Sequence, residues 1–228
     1  MICQRYKGDD LLEIAVVIPC YNEEQTISNV IKDYQQYFNT IYVIDNNSID
    51  KTYEIAKNCG AIVLKENIQG KGATIRSAFN KINADIIVLT DGDSTYLAKD
   101  SNILCNYLIE NDLDMVIGNR LNSGYFKKHQ IIHGIGNSLL SKLATKKLNV
   151  SIKDLLSGSR VLKRTFYQNI DIIDNGFEIE TELTKHCVLN NYKLEFIDID
   201  YLKRPKNSKS SINTFKDGFK ILKVLLRG

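Results

Sequence analysis

Short unbroken apolar runs alternate along the chain with stretches in which apolar residues recur every three to four positions. Residues 14–19 are an apolar run closed by Cys20-Tyr21-Asn22-Glu23-Glu24, the pattern of a buried strand that ends in a polar turn. Ile27, Val30, Ile31, Tyr34 and Phe38 then recur on one helical face. Residues 41–44 read as a second strand closed by Asp45-Asn46-Asn47-Ser48, and residues 49–58 as a helix that Gly60 stops. A third strand at 61–64 is followed by a helix opened by Gly70-Lys71-Gly72 and carrying Ile75, Ala78, Phe79 and Ile82. A strand at 86–90, a helix at 98–110 and a strand at 115–118 continue the alternation. This order predicts an α/β fold, a parallel sheet flanked by helices with right-handed crossovers.

Beyond residue 118 the alternation breaks. Ile131, Ile135, Leu139 and Leu143 stand four apart and mark an amphipathic helix. Residues 157–162 read as a strand edge, 177–189 as a helix, 194–199 as a strand and 203–213 as a polar loop. At the end, Phe215, Phe219, Leu222 and Leu226 form an apolar stripe beside a basic one of Lys216, Lys220, Lys223 and Arg227. That helix either packs on the domain with snorkelling lysines or lies on an anionic bilayer.

Charge sharpens the second half. The net charge of +3 conceals two segments of +7 each, 115–153 and 201–228, leaving −11 on the rest. Such segregation suggests a face that meets phosphates or an anionic surface. With 228 residues, 43% hydrophobic, the chain is large enough for one sizeable domain. The N-terminus lacks an apolar signal core, and no run approaches the roughly 20 apolar residues of a span, so a cytosolic location is expected. Cys3, Cys20, Cys59, Cys105 and Cys187 are dispersed without a C-x-x-C pair, which argues against a disulfide framework or a zinc site.

The candidate chemistry lies at the strand ends, where parallel α/β sheets bind ligands. Asp91-Gly92-Asp93 places two carboxylates where the fourth strand should stop. The pair suits either a hard divalent cation or a solvated Asp-Gly turn. His129, His133 and His186 have no evident partner and read as surface or packing residues.

The motifs V-V-I-P-C-Y-N-E-E, V-I-D-N-N-S-I-D-K-T, G-K-G-A, T-D-G-D, G-N-R and G-F-E-I-E-T-E-L occur in one order. The chain, over about residues 12–220, thereby resembles the family 2 glycosyltransferases of GT-A fold, and within them the dolichyl- or polyprenyl-phosphate mannose or glucose synthases. The resemblance implies a mostly parallel GT-A sheet in a single domain, 1–228. A nucleotide-sugar half (about 12–120) would precede an acceptor half (about 121–213) and a basic amphipathic helix (214–228).

It also implies roles. Pro19, Tyr21, Glu23 and Asp45 would hold the nucleotide, Lys71 and Asp91 the donor, and Asp91 with Asp93 a Mg²⁺ or Mn²⁺ ion. Gly70 and Gly72 would allow close backbone approach to the donor. Arg120, Arg160, Arg204 and Lys209 would contact phosphate, with Asp154 orienting Arg160. Asp93, Arg120, Glu180 and Glu182 are the candidate catalytic residues. Asn46 replaces a frequent second Asp of the family, and Thr95 stands where some relatives carry an amide ligand, leaving water to complete the metal shell.

The implied reaction is inverting transfer of a hexose from a nucleotide-diphosphate sugar, UDP- or GDP-linked, to a polyprenyl phosphate at the cytoplasmic membrane face. A phosphate monoester, with a second pKa of about 6, needs no base at neutral pH. A saccharide hydroxyl, the alternative acceptor, would need Glu180 or Glu182 as base. A non-enzymatic, basic-faced membrane-binding module is a further alternative. Nucleic acid is not expected as a partner, because carboxylates occupy the predicted cleft; an oligomer stays open.

Overall fold

The computed structural model describes residues 5–7, 10–124, 131–205 and 214–227. A small antiparallel pair, β1 (Tyr6–Lys7) and β2 (Asp10–Leu11), precedes the main sheet. Then come β3 (Ile14–Cys20), α1 (Ile27–Tyr34), β4 (Thr40–Asp45), α2 (Thr52–Asn58), β5 (Ile62–Lys65) and α3 (Lys71–Lys81). They are followed by β6 (Ile86–Leu89), α4 (Ala98–Glu110), β7 (Met115–Asn119) and α5 (Ile131–Leu148). The last elements are β8 (Arg160–Lys163), α6 (Arg164–Tyr167), α7 (Ile179–Leu189), β9 (Leu194–Asp198) and α8 (Thr214–Leu226).

The main sheet has seven strands in the order β5-β4-β3-β6-β8-β7-β9. All its pairs are parallel except those of β8, which runs antiparallel to both β6 and β7. The mostly parallel sheet that the resemblance implied is therefore present, with β8 as its one antiparallel strand. Because it runs antiparallel to both neighbours, β8 starts at the edge of the sheet where β6 and β7 end. That puts Ser157–Arg160 beside the ends of β6 and β7.

Both faces of the sheet are covered, so its central strands read as unbroken apolar runs. Ala15, Val17, Ile87, Leu89, Met115, Ile117 and Leu162 face one core layer, with side chains of α3, α5, α6, α7 and α8. Their neighbours Val16, Ile18, Ile86, Val88, Val116 and Val161 face the other, with α1, α2 and α4. This is the period-two alternation of a strand, buried twice over.

Three local differences from the sequence pattern have simple causes. The helix expected from residue 49 begins at Thr52, where Asp50 Oδ1 accepts the Thr52 N–H at 2.9 Å in an Asx turn just ahead of the helix. The β1–β2 pair and α6 are too short to generate a period. On α8, Ile221, Val224 and Leu225 are the buried apolar residues, whereas Phe219 and Leu226 of the apolar stripe are 71% and 60% exposed. Phe215 lies in α8, but its side chain lies outside the described residues. No described helix is long and apolar enough to cross a membrane.

Candidate active site

Two sequence motifs are laced together at the tops of β3 and β4. The Asn22 N–H donates to Ser48 Oγ at 3.0 Å, and the Ile49 N–H returns to Asn22 Oδ1 at 2.9 Å. The Glu23 N–H donates to Thr52 Oγ1 at 2.8 Å and the Glu24 N–H to Asp50 Oδ2 at 3.1 Å. Asn22 (φ 56°) and Asn47 (φ 59°) take the left-handed backbone that such tight turns require and that Asn tolerates. Tyr21 is left exposed at this rim, and Pro19 lies on β3 just inside it.

Asp45 and Asn46 divide the work at the end of β4. Asp45 is 3% exposed, yet its Oδ1 has no hydrogen-bond partner in the protein. A buried carboxylate oxygen without a donor is costly, which suits an outside donor such as a ribose hydroxyl or base N–H. Asn46 instead braces the next loop. Its Nδ2 donates to Glu66 O (2.9 Å) and Ile68 O (2.7 Å), while its Oδ1 accepts the Gly70 N–H at 2.6 Å. Only an amide can both donate and accept in this way, so Asn here is a structural requirement of the loop.

The glycines of that loop act differently from the expectation of close donor approach. A Cβ at Gly70 would lie 2.1 Å from Asn175 O, and one at Gly72 2.2 Å from Asp174 O. Both glycines make room for the 174–176 backbone, whose carbonyls accept the Gly72 and Ala73 N–H groups at 3.0 and 3.2 Å. The donors at the start of α3 are thereby used inside the protein.

Asp91 and Asp93 meet the opposite charges of two segments distant in sequence. Lys71 Nζ lies 2.5 Å from Asp91 Oδ1 and 2.7 Å from Glu180 Oε1. Arg204 pairs with Asp93 through Nη2, and its Nη1 lies 3.5 Å from Glu23 Oε1. Burial pulls the Asp91 carboxyl upward, but Lys71, with Arg120 and Arg204, outweighs it and holds the group below its ordinary value. Burial and then the charge of Asp91 push Asp93 up, partly offset by Arg204 and by Thr95. Burial would lower Lys71, yet Asp91 and Glu180 outweigh that and raise it.

The turn itself is tightly packed. Thr95 donates to Asp93 Oδ1 from its N–H at 3.0 Å and its hydroxyl at 2.6 Å. Thr95 thus orients Asp93. A Cβ at Gly92 would lie 2.8 Å from Cys20 Sγ, and one at Gly158 2.7 Å from Asp91 Oδ2. Gly158, anchored by its N–H to Tyr96 Oη at 2.9 Å, is a site residue that sequence reasoning passed over. Its only signal was the S-G-S-R string.

Asp154 pairs with Arg120 and not with Arg160. Asp154, expected to orient Arg160, instead accepts Arg120 Nε and Nη2, both at 2.9 Å, and the Arg120 N–H at 2.9 Å. Asn137 Nδ2 adds a bond to Asp154 Oδ1 at 2.6 Å. The Arg120 guanidinium lies 5.5 Å from the centre of the Tyr201 ring, so both its fork and its face are held. Arg160, expected to contact phosphate, is 1% exposed and is turned inward. It donates to Ser157 O (2.9 Å), Leu155 O (2.8 Å) and Thr184 Oγ1 (2.9 Å), and burial lowers its pKa to about 10. It braces the turn that carries Gly158.

The glutamates of α7 separate by helical geometry. Glu180 points to Lys71. Glu178 and Glu182, four apart, share the other side. Glu178 lies 3.6 Å from Lys220, and both Glu182 oxygens accept the Asp174 N–H at 3.3 Å. The structure therefore brings Glu180 to the carboxylate cluster and takes Glu182 away from it, contrary to its candidacy as a catalytic group. Lys209 and His129 lie outside the described residues, as does the side chain of His133. His186 packs against Phe166 and Tyr192, with ring centres 5.6 and 5.8 Å away.

Among the described residues no group of three or more His, Cys, Asp or Glu is arranged to hold a metal. Asp91 and Asp93 still fit a Mg²⁺ or Mn²⁺ ion. Such ions are commonly held by one or two carboxylates, with substrate phosphates and water completing the shell. In the protein itself, Lys71 and Arg204 supply the positive charge beside these two carboxylates.

This architecture is that of a GT-A glycosyltransferase. The family model "Glycosyl transferase family 2" matches residues 15–171, and the chain belongs to that family. Glycosyltransferase AglJ of Haloferax volcanii is 32% identical over 216 residues, covering 94% of this chain and 71% of that protein. A dolichyl-phosphate hexose transferase of the same organism is 28% identical over 225 residues, covering 97% and 95%. Glucosyl-3-phosphoglycerate synthase from Mycobacterium tuberculosis, in complex with UDP, superposes with a TM-score of 0.73 at 20% identity, covering 94% of this chain and 79% of that one. Another structure of that synthase holds Mn²⁺, UDP and glucosyl-3-phosphoglycerate.

Proposed function

We propose that this glycosyltransferase moves a hexose, with inversion, from a nucleoside diphosphate to a polyprenyl phosphate at the cytoplasmic face of a membrane. One observation carries the choice of acceptor: among the described residues, Glu180, the α7 glutamate that reaches the Asp91 side of the site, is already paired with a cation. Asp91 and Glu180 share Lys71, Asp93 and Glu23 share Arg204, and Asp154 holds Arg120. A sugar hydroxyl would require a base in reach, whereas a phosphate monoester arrives as an anion able to attack unaided. The name of the dolichyl-phosphate relative points the same way.

Asp45 would accept a hydrogen bond from the nucleoside through its unpartnered Oδ1, at the edge that Tyr21 and Glu23 complete. Asp91 and Asp93 would hold a divalent ion, which when bound supplies Lewis-acid stabilisation of the departing diphosphate. Arg120, held by Asp154, and Arg204 place positive charge beside that diphosphate. The acceptor phosphate oxygen forms the new bond to the anomeric carbon as the bond to the donor diphosphate breaks, which inverts that centre.

Membrane contact is supported by the side of α8 that the domain leaves open. Exposed Phe219 and Leu226 lie among exposed Lys216, Lys220, Lys223 and Arg227, and α5 exposes Ile135, Leu139 and Leu143 beside Lys142 and Lys146. Apolar groups ringed by lysine suit an anionic bilayer surface.

The test incubates the protein with Mn²⁺, polyprenyl phosphate and radiolabelled UDP- or GDP-hexose. Label entering the organic phase, and lost with Asp93→Ala, is expected. Label found only in an added soluble saccharide would transfer the assignment to a hydroxyl acceptor. Flotation with anionic vesicles, lost in a Phe219→Glu/Leu226→Glu variant, tests the docking face.

A further inference from the structure

Arg204 stands on the carboxylate oxygen that a metal ion would use. Asp93 Oδ1 already accepts two bonds from Thr95, and Arg204 pairs with Asp93 Oδ2. The other arm of the guanidinium faces Glu23 Oε1 at 3.5 Å. The backbone leading to Arg204 is fixed to the same turn, since the Leu202 N–H donates to Thr95 O at 2.9 Å. Tyr201 packs edge-on against Tyr96, with ring centres 5.4 Å apart. The anchor is therefore held while the long side chain, 28% exposed, reaches in from the solvent side. Lys71 differs: it bridges Asp91 and Glu180 from the sheet side, with 13% of its side chain exposed.

We propose that Arg204 is an exchangeable counter-ion for the metal carboxylates. It neutralises Asp93 while no divalent ion is present and gives up Asp93 when one enters. It then turns to the diphosphate of the incoming donor. The proposal rests on the reading of Asp91 and Asp93 as metal carboxylates and adds an order of partners to it. With Oδ1 taken up by Thr95, a divalent ion and the guanidinium compete for Oδ2 and repel each other there. An ion arriving alone must therefore work against Arg204, which weakens its apparent affinity. An ion arriving with a diphosphate brings Arg204 a new anionic partner, and guanidinium pairs well with phosphate. Metal and nucleotide then bind cooperatively, with Arg204 as the positioning residue through which the coupling runs.

The experiment titrates Mn²⁺ alone and Mn²⁺ with UDP against the full chain, reading free Mn²⁺ by electron paramagnetic resonance. Arg204→Gln should bind Mn²⁺ alone about tenfold more tightly, and the tightening that UDP gives wild-type Mn²⁺ binding should shrink by about tenfold. Arg204→Lys, which keeps the charge, should stay near wild type in the first measurement. In parallel, the Arg204 Nε–H resonance, identified by its loss in Arg204→Lys, should move when Mg²⁺ is added and move again with UDP. A resonance unmoved by Mg²⁺, or an unchanged UDP coupling in Arg204→Gln, would overturn the exchange. Failure of both wild type and Arg204→Gln to bind Mn²⁺ even with UDP would instead remove the metal reading beneath it.

Discussion

Lys71 lies between Asp91 and Glu180, 2.5 Å from one carboxylate and 2.7 Å from the other. One cation from the start of α3 thus joins the top of β6 to the first turn of α7, three elements far apart in sequence.

Replacing that lysine should cost more than a surface ion pair. Lys71→Met leaves two largely buried carboxylates facing each other without compensation, and breaking such a pair costs about 3 kcal/mol. Urea unfolding should show this loss, and Lys71→Met/Glu180→Leu should recover part of it. Recovery of nothing would mean that the Glu180 charge is not what the lysine offsets.

Asn46→Asp tests the loop brace. The carboxylate cannot donate to Glu66 O and Ile68 O, which Asn46 Nδ2 reaches at 2.9 and 2.7 Å. A loss of about 1 kcal/mol is expected for the two part-buried bonds removed. Proteolysis within residues 66–70 should accelerate with it.

Gly158→Ala should act on turnover more than on stability. The added methyl would lie 2.7 Å from Asp91 Oδ2, so the carboxylate must shift. Displacements of about 1 Å at a reacting centre cost up to roughly a hundredfold in rate. The expected result is a fall in kcat of at least about tenfold, with a melting temperature near that of the wild type.

Glu182 gives the protein a pH signature outside the metal site. Burial first, with the charge of Asp174 added, raises its carboxyl to about 7, although bonds from the 173 and 174 N–H groups oppose the shift. Between the unfolded value of about 4.3 and this one, the native state binds more protons than the unfolded state. Stability from this group is therefore complete below pH ~4.3 and is lost as pH rises through about 7. The side chain is half-buried, so the effect after solvent screening is about 1 kcal/mol. Glu182→Gln should flatten the decline and be the more stable protein at pH 8; an unchanged slope would assign the pH dependence elsewhere.

Much of the framework was legible because it is local. The apolar runs of β3, β4, β6 and β7 and the helical face of α1 appear directly as period. The strand-end positions of Asp45, Asp91 and Asp93 follow from where those runs stop. The residues misassigned were those whose partners come from distant segments. Asp154 follows Arg120 by 34 positions and precedes Arg160 by six, so proximity in sequence favoured the wrong arginine. Gly70 and Gly72 looked like a ligand cradle until the 174–176 backbone filled the space in front of them.

The order of elements, the polar strand ends, the basic second half and the family were determined by the sequence itself, because each is a property of residue type and spacing. The tertiary structure alone decided which charge meets which. Lys71 was matched to Asp91 and Glu180, Arg204 to Asp93, and Arg120 to Asp154. Such pairs are set by how strands and loops converge in space, where a few ångströms separate a cleft cation from an internal brace. No pattern along the chain encodes that distance.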